Sequence, residues 1–386
     1  MTTHQETAAT HQETVADVST AAGWSLGVEE EFLLVDPATG NTVPAADQVL
    51  RVASTRPGAA ADAVLHRELL ATQVEAATGR CLSLHELSGQ LLHGRRQLAR
   101  AAGDLLVVPS GVPVLGGSPV VSSGERFDRI AERYAGIVAE YQACGCHVHV
   151  GVPDLETAVG VVNHLRPWLP TLLALSVNSP VRGGVDTGYG SWRIVEQSRF
   201  PGAGVPPRFA SARDYTARVA RLVSAGVLLD EAMSFWLVRP STRLPTVEFR
   251  VADVAIDVDG ALLQAALCRA LVRTALASLE RGRPVPAVDD QVAAAAVWSA
   301  ARYGLAGPAV HPLLARRVPA LDLVADLVDT VRPALLETGD LSTVEALLRR
   351  LRTTGTGADR QRAAGDPLGI LRMLSTSALR MGDIDA

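Results

Sequence analysis

The sequence predicts an α+β fold with an antiparallel sheet and a mainly helical C-terminal region. Predicted strands and helices are interleaved up to Gly260, without the regular alternation that a parallel sheet requires. Hydrophobic residues make up 48% of the 386 residues, enough to bury a large core. Beyond Gly260, helical spacing of apolar residues predicts helices at Ala261–Arg281, Leu321–Glu337, Ser342–Arg352 and Pro367–Met381.

Before Gly260, alternation and turn residues predict strands at Gly27–Val35, Leu105–Pro109, Cys146–Val150 and Thr246–Val251. Helical spacing predicts helices at Leu84–Ala102, Glu125–Ala143 and Asp214–Phe235, with Ser83 as the N-cap of the first. We expect Val64–Thr78 to be a strand followed by a helix. We expect a long loop over Asn178–Pro207, a length that indicates function or disorder in a compact chain.

The positive charges of this chain come from one residue type. All 36 basic residues are Arg, and there is no Lys. Mechanisms that need a Lys amine, such as Schiff-base chemistry or a Walker A phosphate loop, are therefore excluded. The net charge is −5 and no basic run stands out, so we expect no nucleic-acid partner.

Composition also predicts a location and a domain organisation. Four cysteines are too few for a disulfide scaffold, and charges interrupt the longest apolar runs before the ~20 residues of a membrane span. We expect a cytoplasmic protein with no membrane contact. Residues 1–22, which repeat the sequence THQET, are predicted to be a disordered polar tail. A single catalytic domain is predicted over residues 23–386, with its helical part at about 261–386.

Three predicted strands each carry two ionisable side chains on one face. Side chains of a strand point alternately to opposite faces, so residues two apart share a face. The pairs occur in the segments GVEEEFLL, GCHVHVG and TVEFRV, and they are Glu29 with Glu31, His147 with His149, and Glu248 with Arg250. If the strands share one sheet, these charges lie together. Divalent cations are the simplest way to offset them, and a carboxylate-rich set favours Mg²⁺ or Mn²⁺ over Zn²⁺.

Each of these signals has a simpler interpretation. A strand face with Glu and Arg is common on a solvated surface, and Glu75 alone is typical of an exposed helix face. Cys144 and Cys146 beside His147 suggest a zinc site, but both cysteines fall on the apolar side of the strand, so core packing is the better interpretation. It is the coincidence of three such strands that favours a site.

Arginines flank the acidic strands. Arg193 lies in the predicted long loop, and Arg239 and Arg243 precede the strand that carries Arg250. In a chain without Lys, these side chains are the available clamps for phosphate or carboxylate groups. Their placement suggests an anionic ligand that metal ions bridge to the protein, as in phosphoryl transfer.

The motifs GVEEEFLLVD, QVEAAT, GCHVHVG, NSP with DTGYGSWR, and WLVRPSTRLPTVEFRVAD occur in the order seen in a known family. From about Trp24 to about Met381 the chain resembles the YbdK-type carboxylate–amine ligases, the bacterial glutamate–cysteine ligase family 2 proteins. The resemblance implies an antiparallel, funnel-like sheet of the glutamine synthetase type, flanked by helices. It also implies an ATP- and Mg²⁺-dependent ligase with weak glutamate–cysteine ligase activity, and a homodimer is an expectation from it.

The resemblance also implies roles for single residues. Metal ligands are expected at Glu29, Glu31, Glu75, His147, His149 and Glu248, with His147 the nearer histidine to metal. Arg250 and Glu75 are expected to be catalytic, with Arg250 stabilising charge. From their placement beside the acidic strands, and not from the resemblance, Arg193, Arg239 and Arg243 are expected to bind nucleotide or substrate. Glu30 is not expected to be a ligand, because the family motif tolerates a hydrophobic residue there.

Three other functions stay open at this stage. A metal-dependent amide hydrolase could use His147 and His149 to bind Zn²⁺, and it would act without a nucleotide. A guanidino-type kinase would use the same scaffold and stop after phosphoryl transfer. A catalytically silent relative would bind nucleotide or metal only.

Overall fold

The computed structural model describes residues 22–54 and 64–382. The predicted disordered tail, residues 1–22, lies outside the described residues except for its last residue. The described strands are β1 (Leu26–Val35), β2 (Val64–Arg67), β3 (Gln73–Ala77), β4 (Leu106–Val108), β5 (Gly145–Gly151), β6 (Val181–Arg182), β7 (Val185–Asp186), β8 (Val238–Pro240), β9 (Thr246–Asp253), β10 (Pro308–His311) and β11 (Arg316–Pro319).

Seven of these strands form one sheet, in which every pairing is antiparallel. The order is β2-β3-β1-β5-β9-β8, and β4 pairs with the far end of β1. Short hairpins join β6 to β7 and β10 to β11. The sheet therefore places the three strands with ionisable pairs, β1, β5 and β9, side by side.

Helices cover the apolar face of the sheet and build the C-terminal region. They are α1 (Ala46–Ser54), α2 (Leu84–Ala102), α3 (Glu125–Tyr134), α4 (Leu155–Leu165), α5 (Leu169–Ser176), α6 (Trp192–Gln197), α7 (Ala212–Ser224), α8 (Val258–Glu280), α9 (Asp290–Tyr303), α10 (Ala320–Thr338), α11 (Leu341–Thr354), α12 (Gly357–Ala364) and α13 (Pro367–Ser377). This architecture confirms the predicted α+β class with an antiparallel sheet and flanking helices. The prediction of one domain over residues 23–386 stays a prediction.

The core lies between the sheet and helices α2, α4, α5 and α8. Val28, Val148 and Phe249, on the apolar faces of the three central strands, are at most 1% exposed and belong to the largest buried cluster. Cys144 and Cys146 are buried free thiols, as predicted from their place on the apolar side. Burial raises the pKa of both thiols well above the ordinary value, as expected for packed side chains.

The predicted helix at Leu84–Ala102 is confirmed, with its cap. The Ser83 hydroxyl accepts a hydrogen bond from the Glu86 backbone N–H, which satisfies a donor that the first helical turn leaves unpaired. Asp154 and Asp257 cap α4 and α8 in the same way, by accepting from the N–H groups of Thr157 and Gly260.

Several predicted elements were wrong. Val64–Thr78 is not a strand followed by a helix but the hairpin β2–β3, because pairing with β1 overrides the helical propensity of the QVEAA segment. The predicted loop at Asn178–Pro207 contains the β6–β7 hairpin and α6. The α-helix predicted at Glu125–Ala143 ends at Tyr134 and continues as a 3₁₀ helix, and that at Asp214–Phe235 ends at Ser224.

Helix α8 departs from the expectation that charge interrupts every long apolar run. Among the described residues, it is the one helix that is long and apolar enough to cross a membrane, judged by length and composition alone. Of its most apolar stretch, 67% is buried inside the protein, in contact with β5 and the surrounding helices. This environment is typical of the core helix of a globular protein.

Candidate active site

The register of the central strands brings their polar faces together. Glu29 of β1 lies opposite His147 of β5, and His149 of β5 lies opposite Glu248 of β9. Directly opposite residues of an antiparallel pair point to the same face of the sheet. The Glu29 carboxylate lies 3.5 Å from His147 Nδ1 and 3.4 Å from His149 Nε2. The predicted pooling of charge from separate strands is thus present in the structure.

Three carboxylates meet at the other end of this face. Glu31 of β1 lies opposite Glu75 of β3. Glu68, in the turn between β2 and β3, brings a third carboxylate to the same place. No pattern in the sequence indicates Glu68, because it lies outside the strands and so outside any alternation. If Val64–Thr78 had been predicted as the β2–β3 hairpin, the turn of that hairpin would have placed Glu68 next to Glu75.

The ligand atoms of these side chains form a continuous row of three groups. Within each group the atoms lie within 4.8 Å of one another. The groups share members, and they are Glu29 with His149 and Glu248, Glu29 with Glu75 and His147, and Glu31 with Glu68 and Glu75. Among the described residues, Nε2 of His147 and of His149 is buried with no hydrogen-bond partner, which leaves each nitrogen available to a metal ion. Five carboxylates and two imidazoles are able to hold divalent cations of the Mg²⁺ or Mn²⁺ type.

This row lines one wall of a cavity of about 400 Å³. The cavity is large enough for a small-molecule site. Arg239, Arg243 and Arg250 also line it, so the structure brings together nine of the ten side chains that the sequence indicated.

Arg193 is the exception. Its side chain is 2% exposed and is absent from the cavity lining. It lies behind the start of β5, where an added Cβ on Gly145 would fall 2.4 Å from its guanidinium. The guanidinium donates to the carbonyl of Arg250 at 3.1 Å and lies 4.0 Å from buried Asp253. The structure therefore places Arg193 as a support of β5 and β9, out of reach of a ligand in the cavity.

Two arginines hold Glu248 as a carboxylate. Arg239 donates through Nε to Glu248 Oε2 at 2.9 Å, and Arg250 forms a second ion pair with the same side chain. Burial alone would raise the pKa of Glu248, but the two guanidinium groups outweigh it and hold the pKa well below the ordinary value. Between the residues paired with Cys146 and Val148, β9 has one more residue than β5, and this bulge comprises Arg250 and Val251. Bulges are common beside active sites, where they redirect a side chain.

The two histidines differ in their surroundings. His149 Nδ1 lies 2.8 Å from the Thr246 hydroxyl, which fixes the ring and turns Nε2 toward Glu29. Burial and the neighbouring charge of Arg250 lower the pKa of His147 to about 4, so its ring is neutral near pH 7 and able to bind a cation. The histidines belong to different ligand groups. Because His147 and His149 would bind different ions, the structure does not support a zinc site that uses both histidines as ligands.

The carboxylates at the far end of the row repel one another. Burial raises the pKa of Glu31 to about 8, and the charge of Glu68 adds to the effect. Burial also raises the pKa of Glu75 well above the ordinary value, with further contributions from Glu68, Glu29 and Glu31. The Gly145 backbone N–H donates to Glu31 Oε2 at 2.6 Å and fixes its orientation. The site thus concentrates carboxyl groups whose charged form a bound cation would stabilise.

Comparison with known proteins places the chain in a family. The model of glutamate-cysteine ligase family 2 matches residues 25–372. A Saccharopolyspora erythraea protein named "Putative glutamate--cysteine ligase 2-2" is 56% identical over 361 residues, which cover 92% of each chain. A Nocardia farcinica protein named "Putative glutamate--cysteine ligase 2-1" is 48% identical, over 87% of this chain and 88% of its own.

Solved structures share the fold at low sequence identity. A Francisella tularensis glutamate–cysteine ligase in complex with AMP matches with a TM-score of 0.67 and 15% identity, over 94% of this chain and 90% of that one. The complex of the ubiquitin-like protein Pup with its ligase PafA matches with a TM-score of 0.53 and 14% identity, over 96% of this chain and 75% of that one. The chain belongs to glutamate–cysteine ligase family 2 and is an ATP-dependent ligase that forms carbon–nitrogen bonds.

Proposed function

We propose that the protein joins the γ-carboxylate of L-glutamate to an amine through an acyl phosphate, and that L-cysteine is one acceptor. The observation that carries this proposal is the row of three ligand groups along one cavity wall. A reaction between a carboxylate and a polyphosphate brings two anions together, and a wall of cation sites is what such a reaction needs. The names of the relatives support glutamate and cysteine as substrates.

We propose Mg²⁺ as the metal, held by the six predicted ligands together with Glu68. The ions would neutralise charge on the phosphates and on the carboxylate substrate. Thr246 orients His149, and Arg239 orients Glu248, so that both side chains face the cavity. Arg193 acts as a positioning residue behind β5 rather than as a ligand of the nucleotide.

A second cavity, of about 350 Å³, adjoins the row at Glu29 and His149. Small or apolar residues dominate its lining, among them Val28, Gly79 and Leu244. We propose that the nucleotide base occupies this cavity, because its phosphates then reach the ligand group of Glu29, His149 and Glu248. Leu244 lines both cavities, which puts its neighbour Arg243 next to the phosphates.

The chemistry follows in two steps. A γ-carboxylate oxygen of glutamate attacks the γ-phosphorus of ATP, the bond from that phosphorus to the β–γ bridging oxygen breaks, and ADP leaves. The amine nitrogen then attacks the acyl carbon, the carbon–oxygen bond to phosphate breaks, and inorganic phosphate leaves while the nitrogen loses a proton to solvent. The Arg250 guanidinium, at the bulge of β9, stabilises charge on the transferring phosphoryl group.

Trapping with hydroxylamine tests this proposal without any need to know the acceptor. With Mg²⁺-ATP, L-glutamate and hydroxylamine, we expect glutamyl hydroxamate and ADP in equal amounts, and Glu248→Gln is expected to abolish both. ADP formed only with a guanidino compound, and without hydroxamate, would identify a kinase. Amide cleavage that proceeds without ATP would identify a hydrolase.

A further inference from the structure

The cavity that holds the acidic row has a second wall of opposite character. Side chains from α3, the turn before β5, the turn between β2 and β3 and the segment before β8 line it, and they are Leu69, Phe127, Ile130, Tyr141, Met233 and Phe235. These residues belong to one hydrophobic cluster. Leu69, Phe127 and Phe235 are only partly buried by the protein itself, which leaves apolar surface for a ligand to cover.

The aromatic part of this wall is preformed. The Phe235 ring stacks on Phe200 with centroids 4.4 Å apart, and the Tyr141 ring meets Phe235 edge-on at 6.4 Å. Tyr141 also packs edge-on against Phe200 at 4.9 Å. Rings held by several neighbours lose little freedom when a ligand binds, so the wall is suited to an apolar group.

Of the arginines that line the cavity, three form ion pairs with carboxylates of the protein, and the fourth lies near the proposed nucleotide site. Arg126, on the apolar side, donates to both carboxylate oxygens of Asp230 at 2.9 and 3.2 Å. Arg239 and Arg250 both pair with Glu248. Arg243 follows the loop that borders the proposed base cavity. Among the described residues, therefore, the apolar wall contains no cation of its own, and Arg126 beside it is already paired with Asp230.

An apolar wall also assists an amine as nucleophile. An amine attacks only in its neutral form, and transfer from water to an apolar surface disfavours the ammonium form. An acceptor with a carboxylate would bury that charge against Phe127 and Phe235 without a partner, at a cost in binding.

From this geometry we infer that the preferred acceptor is a primary amine with a hydrocarbon or aryl group and without a carboxylate. The group lies on the wall of Leu69, Phe127 and Phe235, and the nitrogen points toward the carboxylate row. The inference rests on the proposed function and adds the class of its second substrate. L-Cysteine is then a poor acceptor.

Matched pairs of amines test the inference on the unaltered protein. Phenethylamine and L-phenylalanine differ by one carboxylate, as do cysteamine and L-cysteine. With Mg²⁺-ATP and L-glutamate, we expect kcat/KM for the member without the carboxylate to be at least about tenfold higher in each pair, with phenethylamine the best of the four. Mass spectrometry of the amide identifies the product.

One variant and a matched control test whether the apolar wall causes the preference for amines without a carboxylate. Phe127→Ala is expected to lower kcat/KM for phenethylamine about tenfold more than it lowers that for hydroxylamine. Ile137→Ala removes a partly buried side chain of the same cluster that does not line the cavity, and it should change neither value.

The hydroxylamine reaction separates the two ways to fail. If hydroxamate forms and L-cysteine or L-phenylalanine equals or exceeds its carboxylate-free partner, the inference is overturned and the ligase function stands. The same holds if Phe127→Ala and Ile137→Ala behave alike. If no hydroxamate forms, the proposed function fails and the inference falls with it.

Discussion

Three successive glutamates of β1 lie in two opposite environments, one in the core and the other in the cavity. Glu30 points to the core face, where Arg95 donates to both of its carboxylate oxygens at 2.8 and 2.5 Å, and both side chains are 1% exposed. Glu29 and Glu31 point to the cavity face, where their nearest charged neighbours are other carboxylates and two histidines. Within the described ranges, no arginine forms an ion pair with either.

The difference separates charge that serves the fold from charge that serves a ligand. Arg95 also donates to the carbonyls of Ala255 and Ala378, so the core pair is complete and ties β1 to two distant segments. The cavity face concentrates carboxyl groups of which, among the described residues, only Glu248 pairs with arginine. Carboxylates buried without such a pair are costly unless a cation binds.

The largest effect on activity is expected when the cavity face loses the guanidinium group of Arg250. Arg250→Gln should lower the rate of hydroxamate formation by ~10³-fold, because the transferring phosphoryl group loses a cation. The fold should survive, since Glu248 keeps its pair with Arg239. Activity assays beside circular dichroism and thermal melts measure both. A folded variant with ordinary activity would remove Arg250 from the mechanism.

The next largest effect concerns the core face. Glu30→Gln leaves the buried Arg95 charge without its partner, and we expect a loss of about 3–5 kcal/mol in the free energy of unfolding. Glu31→Gln, one residue away, should leave the metal-free protein at least as stable, because it removes a carboxyl group whose charged form is disfavoured by burial. Denaturant titrations compare the two. Equal destabilisation would contradict the division of β1 into two faces.

Metal binding should stabilise the protein through the cavity face only. At Mg²⁺ concentrations 100 times the dissociation constant, we expect a gain of about 2.7 kcal/mol per site in the free energy of unfolding. Thermal melts with Mg²⁺, and with Na⁺ at equal ionic strength, measure it. The double variant Glu31→Gln with Glu75→Gln should lose most of the gain. A full gain in that variant would exclude the far ligand group.

The smallest expected effect is linkage between metal and protons. With a pKa of about 8, Glu31 carries a proton at pH 7 in the metal-free protein, and burial raises the pKa of Glu75 in the same direction. Mg²⁺ must displace the Glu31 proton, so its affinity should fall as the pH drops below 8, by up to about tenfold per pH unit for each proton released. Calorimetric titrations in two buffers of different ionisation enthalpy count the protons. Binding without proton release at pH 7 would contradict the raised pKa values.

Alternation along single strands was enough to predict most of the cavity face. The pairs in β1, β5 and β9 were visible because a strand repeats every two residues, and each strand also carries an apolar face. The antiparallel class followed from the order of the elements. The motif resemblance identified the family that the comparisons then confirmed.

The features that the sequence did not predict correctly depend on contacts between distant segments. The helical propensity of QVEAA suggested a helix, and only pairing with β1 makes it β3 and brings Glu68 to Glu75. Arg193 looked like a loop arginine, but the glycine at position 145 lets its guanidinium pack behind β5. The apolar wall combines Phe127 and Phe235 from separate segments, and no local pattern joins them.

Counting bound cations tests the role of the cavity face most directly. Electron paramagnetic resonance measures free Mn²⁺ during titration of the wild-type protein and of Glu29→Gln, which alters one of the two residues that belong to two ligand groups. We expect saturable binding of more than one Mn²⁺ per wild-type chain and the loss of at least one in the variant. Absence of saturable binding by the wild-type protein, or an unchanged count in Glu29→Gln, would contradict the assignment of this face to metal.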